Sequence, residues 1–204
     1  MTLTHPYKFK AILAALGLAA AAAASSEAAV ITADFSDTPF TVTQVNTYIS
    51  LNVEEGTASY GVDGWAQFIM AFQNSEDSEP FLWTMSIGQG VMMDGVYTAK
   101  MAAGELVDPD AEYGYGPYMA SGELGNWAEG GRGFVGFRVA NGSGGFNYGY
   151  ADVSYDPSGS LSLHGFSYDN TGGGISTSAV PEPSSILLSG AGVTALLLRR
   201  RRRA

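Results

Sequence analysis

Cysteine is absent from the 204-residue chain, which removes disulfide staples, thiolate-bound zinc, iron–sulfur clusters and thiol nucleophiles together. Histidine is almost absent: His5 and His164 are the only two, too few for a histidine-cluster metal site. Charge is sparse as well, at 15% of residues against about 25% in an average soluble protein. It is also lopsided, with 10 Lys+Arg facing 20 Asp+Glu. What the chain does have is glycine, 27 residues of it, and 12% aromatics. The length allows one domain of ordinary size.

The two ends read as targeting segments and not as fold. At the N-terminus, Lys8 and Lys10 precede an uncharged run over residues 11–24 and then the small-residue stretch Ala24-Ser25-Ser26-Glu27-Ala28-Ala29. This is the three-part layout of a secretory signal peptide, cut after Ala24 or Ala28 and covering residues 1–28. As a helix the run spans about 21 Å, short of a bilayer core of about 30 Å, which favours a removable signal over a permanent anchor. At the C-terminus, Val180-Pro181-Glu182-Pro183-Ser184-Ser185 leads into an uncharged run over residues 186–198, which stops at Arg199, Arg200, Arg201, Arg202 and Arg203. Such a helix reaches only about 20 Å and inserts marginally, while the arginine block resists translocation and stays on the cytoplasmic side. A plain tail anchor would use the same two features. Pro181 and Pro183 hold the preceding chain extended and keep the helix from growing backward.

This order of elements resembles the C-terminal signal of the PEP-CTERM sorting family: a Pro-Glu-Pro motif at 181–183, a short membrane helix at 186–198 and a basic tail at 199–203. The resemblance covers the segment 180–204. It implies recognition and cleavage by an exosortase after passage through the secretion machinery, with a precursor held in the inner membrane of a Gram-negative bacterium. The ectodomain then reaches the cell surface or the extracellular polysaccharide. The last strands also resemble those of some substrates of that family, through Val135-Gly136-Phe137-Arg138, Tyr148-Gly149-Tyr150 and Tyr168-Asp169. In many of those relatives an early hairpin carries a calcium loop. Here the corresponding stretch, Ser50 to Tyr60, has serines where carboxylates would stand. Hard cations need six or more oxygens, so tight Ca²⁺ is not expected there and only weak binding is left open.

Once the ends are set aside, residues 29–180 keep three basic residues, Lys100, Arg132 and Arg138, against 18 acids, a formal net charge of −15. Such a surface repels phosphate polymers, and nucleic acid is not an expected partner. Period-two patterning dominates. Residues 41–51, 64–73 and 81–87 read as strands, separated by acidic or Gly/Pro punctuation. The clearest unit is a meander: Phe134 to Ala140, the Asn141-Gly142-Ser143-Gly144-Gly145 loop, Phe146 to Tyr155, the Asp156-Pro157-Ser158-Gly159 turn and Leu161 to Tyr168. The expected architecture for residues 29–169 is therefore an all-β antiparallel sandwich of jelly-roll type. Residues 105–133 form a long loop or irregular strands, and residues 170–179 form a flexible spacer.

Catalytic residues do not stand out. His164 alternates with Leu161 and Leu163 on a strand and is expected to face solvent or a sheet partner, and no G-x-S-x-G elbow accompanies it. No cofactor is implied. A structural or adhesive role is the primary expectation. The alternative is a carbohydrate-binding module, with Trp127, Tyr113, Tyr115 and Tyr118 as a stacking platform in the glycine-rich region. A glycosidase-type carboxylate pair comes third.

Overall fold

The computed structural model describes residues 30–43, 47–72, 79–85 and 88–178. The signal segment, the sorting segment and the helices expected in them lie outside the described residues. From 30 to 178 the described chain contains only strands, turns and irregular structure. It enters with β1 (Val30–Asp34) and β2 (Phe40–Val42), continues through β3 (Tyr48–Asn52), β4 (Thr57–Tyr60), β5 (Phe68–Phe72) and β6 (Pro80–Thr84), and returns with β7 (Gln89–Asp94) and β8 (Tyr97–Thr98). After the short β9 (Leu106–Val107) and β10 (Tyr113–Gly114) come three long strands, β11 (Gly131–Ala140), β12 (Phe146–Asp156) and β13 (Ser160–Asp169). The short β14 (Ile175–Ser176) closes the order.

A large sheet runs in the order β1-β13-β12-β11-β7-β10, with β2 on β13 and β8 on β7, and a four-stranded sheet runs β4-β3-β5-β6. All pairings are antiparallel. The two sheets share one apolar core. Ile49, Leu51, Phe68, Met70 and Leu82 of the small sheet meet Val135, Phe137, Val153, Leu163 and Phe166 of the large one, and the Phe68 and Phe137 rings lie 4.8 Å apart.

The meander is present as the residues imply. In its first loop the Asn141 side-chain oxygen accepts from the Ser143 and Gly145 N–H groups, each at 3.1 Å, while Gly142 and Gly144 take positive φ. In its second turn Asp156 accepts from the Ser158 N–H at 2.8 Å.

Three expectations need correction. Apart from the changes of sheet at β2–β3 and β6–β7, strands adjacent in the chain pair mostly as hairpins and a meander instead of forming the paired Greek keys of a jelly roll. Residues 41–51 are not one strand: β2 lies in the large sheet and β3 in the small one, so this β-branched run carries the chain across the core. Finally, residues 170–178 are not a free spacer, because β14 pairs with β9, Ile175 opposite Val107 and Ser176 opposite Leu106.

That last pairing belongs to a second core on the far face of the large sheet. Phe134, Tyr148 and Tyr150 project there and are covered by Met101, Val107, Tyr113 and Ile175. The first part of the irregular stretch between β8 and β11 thus covers this second core, while Met119, Ala120 and Trp127 further along it join the shared core. Because both faces of β12 are covered, seven consecutive residues from Asn147 to Val153 are buried. Glycines make this possible where layers approach closely. A Cβ at Gly149 would lie 2.5 Å from the Phe137 ring and 2.6 Å from the Ser167 carbonyl oxygen. Gly149→Ala should therefore cost about 1–3 kcal/mol of stability, measured by chemical denaturation. An unchanged midpoint would mean that the meander is less tightly packed than described.

Candidate functional site

The aromatic residues singled out from the sequence part company in the fold. Trp127 is 0% exposed and is the largest fully buried side chain of the domain. Its Nε1 donates to the Ala99 carbonyl at 3.4 Å, and the Lys100 ammonium sits 4.9 Å from its ring centroid. It belongs to the shared core and not to a surface platform. The surrounding glycines admit the bulky ring and do not expose it: a Cβ at Gly133 would stand 3.2 Å from Trp127 Cη2. Tyr113 on β10 is half-buried. Its hydroxyl donates to the Asp108 carbonyl at 2.7 Å, and its ring stacks on the Arg138 guanidinium at 4.6 Å, with Phe146 on the other side at 4.2 Å. Burial above all raises its phenol far beyond the usual range. Tyr118 is half-buried and bridges to Phe81.

Of the four, only Tyr115 is exposed. It lies beside β6, where its carbonyl accepts from the Thr84 N–H at 3.2 Å and hydroxyl at 2.7 Å. Trp83, on that same strand, is 50% exposed. Its ring packs against the backbone of Gly116, where a Cβ would fall 2.1 Å from Trp83 Cδ1, and it meets Phe81 edge-on at 5.6 Å. Trp65, in the turn before β5, is more exposed still. A signal for Trp83 was present in the sequence: in Phe81-Leu82-Trp83-Thr84 period-two alternation places Leu82 and Trp83 on opposite faces. Leu82 is in the core, so Trp83 points outward.

A polar cluster on β11, β12 and β13 was not anticipated. Arg132 grips the fully buried Asp152 with two parallel bonds, Nε to Oδ1 and Nη2 to Oδ2, both 2.8 Å. Next to it, Ser154 Oγ lies 2.8 Å from His164 Nε2. His164 has a sheet partner, as alternation implies, but it reaches that partner through a bulge. The β12–β13 register shifts between Asp152 and Val153, so the inward residues of β13 run 161, 163, 166, 168 and His164 is added on the outer face. Both oxygens of Asp152 accept from Arg132, and among the described residues no hydrogen bond joins Asp152 to the His164 imidazole, whereas a triad requires the acid to orient the base.

Burial, with the Arg132 guanidinium adding to it and Asp152 partly opposing, lowers the His164 pKa below 6.5. A folded-state pKa below the unfolded one means that the unfolded chain binds more protons. This contribution to stability is present above about pH 6.5 and is lost as pH falls through the folded value. Thermal stability should therefore decline between pH 7.5 and 5, and His164→Gln should flatten that part of the profile. Identical profiles for the two proteins would remove His164 as the cause.

The domain ends in a fastened strand. Thr177 donates its N–H to the Glu105 carbonyl at 2.8 Å and its hydroxyl to the Ala102 carbonyl at 2.6 Å, and it accepts from the Gly104 N–H at 2.8 Å. Ser178 Oγ pairs with the Tyr150 hydroxyl at 2.9 Å. Directly after this anchor, residues 179–203 match the family model of the PEP-CTERM protein-sorting motif. The match takes in Pro181-Glu182-Pro183, the apolar run and Arg199 to Arg203. No curated protein and no solved structure matches the chain.

The C-terminal segment is thus a PEP-CTERM sorting signal. It marks the protein for exosortase-dependent export, with a membrane-anchored precursor sorted to the cell surface. The motif itself lies outside the described residues. Among the described residues, no three His, Asp or Glu side chains are placed to hold a metal ion.

Proposed function

We propose that the protein is a surface or extracellular-matrix component of a Gram-negative bacterium. Exosortase processes it, and its β domain serves a structural or adhesive, non-catalytic role among extracellular polysaccharide. The observation that carries this reading is the sorting signal at residues 179–203, set directly against a folded domain. Two further features support it. The three cations of residues 29–180 are each held by groups of the domain itself: Lys100 on Trp127 and the Gly130 carbonyl, the half-exposed Arg132 on the buried Asp152, and Arg138 between Tyr113 and Phe146. The outward charge is therefore acidic and favours a solvated, non-aggregating exported protein. The Ser154–His164 pair is also tied into the sheet without an orienting acid. Carbohydrate binding is a second reading, favoured by the half-exposed Trp83 fixed against Gly116 beside Tyr115.

Only two residues, Ala179 and Val180, lie between Ser178 and Pro181, a reach of at most about 11 Å. The processing enzyme would work within that distance of the folded domain. Replacing Pro181, Glu182 and Pro183 by alanine should leave full-length precursor in the membrane fraction and abolish the trimmed form, followed by fractionation and immunoblot. Normal trimming and release of that variant would overturn the processing assignment.

A further inference from the structure

One end of the shared core opens into a cavity of about 420 Å³, a volume in the range of small-molecule sites. It lies between the β3–β4 turn, the β11–β12 loop and the end of β13. Its walls include Ile31, Glu54, Ala140, Asn141, Asn147 and Tyr168. Two of these are polar groups rooted in the core, Asn147 at 6% and Tyr168 at 2% exposure.

The polar side chains form an oriented relay. The Ser143 and Gly145 N–H groups hold Asn141 Oδ1, which fixes the direction of that amide. Asn141 Nδ2 then donates to Asn147 Oδ1 at 3.4 Å, and Asn147 Nδ2 donates to the Tyr168 hydroxyl at 2.9 Å. The relay ends on a phenol that accepts. Among the described residues, the buried Tyr168 proton has no protein acceptor, and the Glu54 carboxylate, exposed at the rim, has no protein donor. Burial keeps the phenol protonated above its usual range, the Asn147 amide partly opposes this, and the nearby Glu54 charge adds to it. The cavity therefore offers several free donors, counting one remaining N–H on each amide, beside one acceptor-only carboxylate.

That balance selects a ligand chemistry. An anion would meet Glu54 and the acidic surface, and an ammonium group would satisfy Glu54 but leave the donors unpaired. Vicinal hydroxyls both donate and accept, and Ile31 and Ala140 give a C–H face something to rest on. We infer that this cavity is a saccharide subsite that takes a sugar unit of a neutral glycan through Glu54, Asn141, Asn147 and Tyr168. The inference rests on the adhesive reading, for which it names the partner's chemistry, and it places the contact away from Trp83.

The test uses the full chain in a sugar-free zwitterionic detergent, titrated with neutral oligosaccharides of glucose, galactose and mannose and read by calorimetry and by the side-chain amide NMR signals of Asn141 and Asn147. At least one sugar should bind and shift both amide signals. Glu54→Gln and Tyr168→Phe should each weaken that affinity about tenfold or more, and Trp83→Ala should leave it intact. No binding by any of these sugars overturns the subsite. So does binding lost in Trp83→Ala but kept in Glu54→Gln, or tighter binding of Nα-acetyl-lysine amide than of any sugar. Attachment of cells carrying Glu54→Gln to the extracellular polysaccharide separates the two claims. If the sugar affinity is lost and attachment is unchanged, the subsite stands and the adhesive reading falls.

Discussion

The domain depends on β12 being covered on both of its faces. A strand that presents Ala151 and Val153 to one apolar core and Tyr148 and Tyr150 to another holds its neighbours β11 and β13 in register, and the remaining strands pack onto that meander. The double burial also requires glycine at the narrow points. Gly149 lies under the Phe137 ring, and a Cβ at Gly136 would come within 3.0–3.2 Å of Met92, Val107 and Met101. The Val135-Gly136-Phe137-Arg138 and Tyr148-Gly149-Tyr150 segments are therefore one packing unit: Gly136 faces Tyr150, Phe137 faces Gly149 and Arg138 faces Tyr148 across the ladder.

Scarcity of positive charge shapes the rest. With three cations against 18 acids over residues 29–180, stability comes from apolar burial and backbone pairing, because surface ion pairs contribute little even where they exist. The one ion pair among the described residues is Arg132–Asp152, where a buried carboxylate would be costly without its guanidinium partner. Arg138 instead spends its charge between two aromatic rings. The solvent-facing charge is correspondingly one-signed, which suits an exported protein and disfavours polyanionic partners.

Much of this was legible in the residues. Alternation and the Asn-Gly and Asp-Pro-Ser-Gly punctuation identified the meander with its loops, and the proline, apolar and arginine order identified the sorting signal. The errors have physical causes. Trp127 looked exposed because glycines surround it, yet those glycines are there to let an indole into the core. Ile175-Ser176-Thr177 looked like spacer because Gly, Ser and Thr dominate its surroundings, but one half-buried isoleucine and the Thr177 hydrogen bonds suffice to dock it. The split of residues 41–51 between two sheets leaves no mark on period-two patterning. Nor could local pattern reveal the cavity at the end of the core, whose side chains come from six separate strands and turns.

The docking of β14 joins fold and sorting: the folded domain runs to Ser178 and the sorting signal starts at the next residue. Hydrogen exchange on the full chain tests this most directly. The Thr177 amide, bonded to the Glu105 carbonyl, should be protected together with its β9 partners, at a level below β11–β13 but far above an unstructured peptide. Exchange of residues 170–178 at the free-peptide rate, with the meander still protected, would contradict the account and restore a flexible tether between domain and signal.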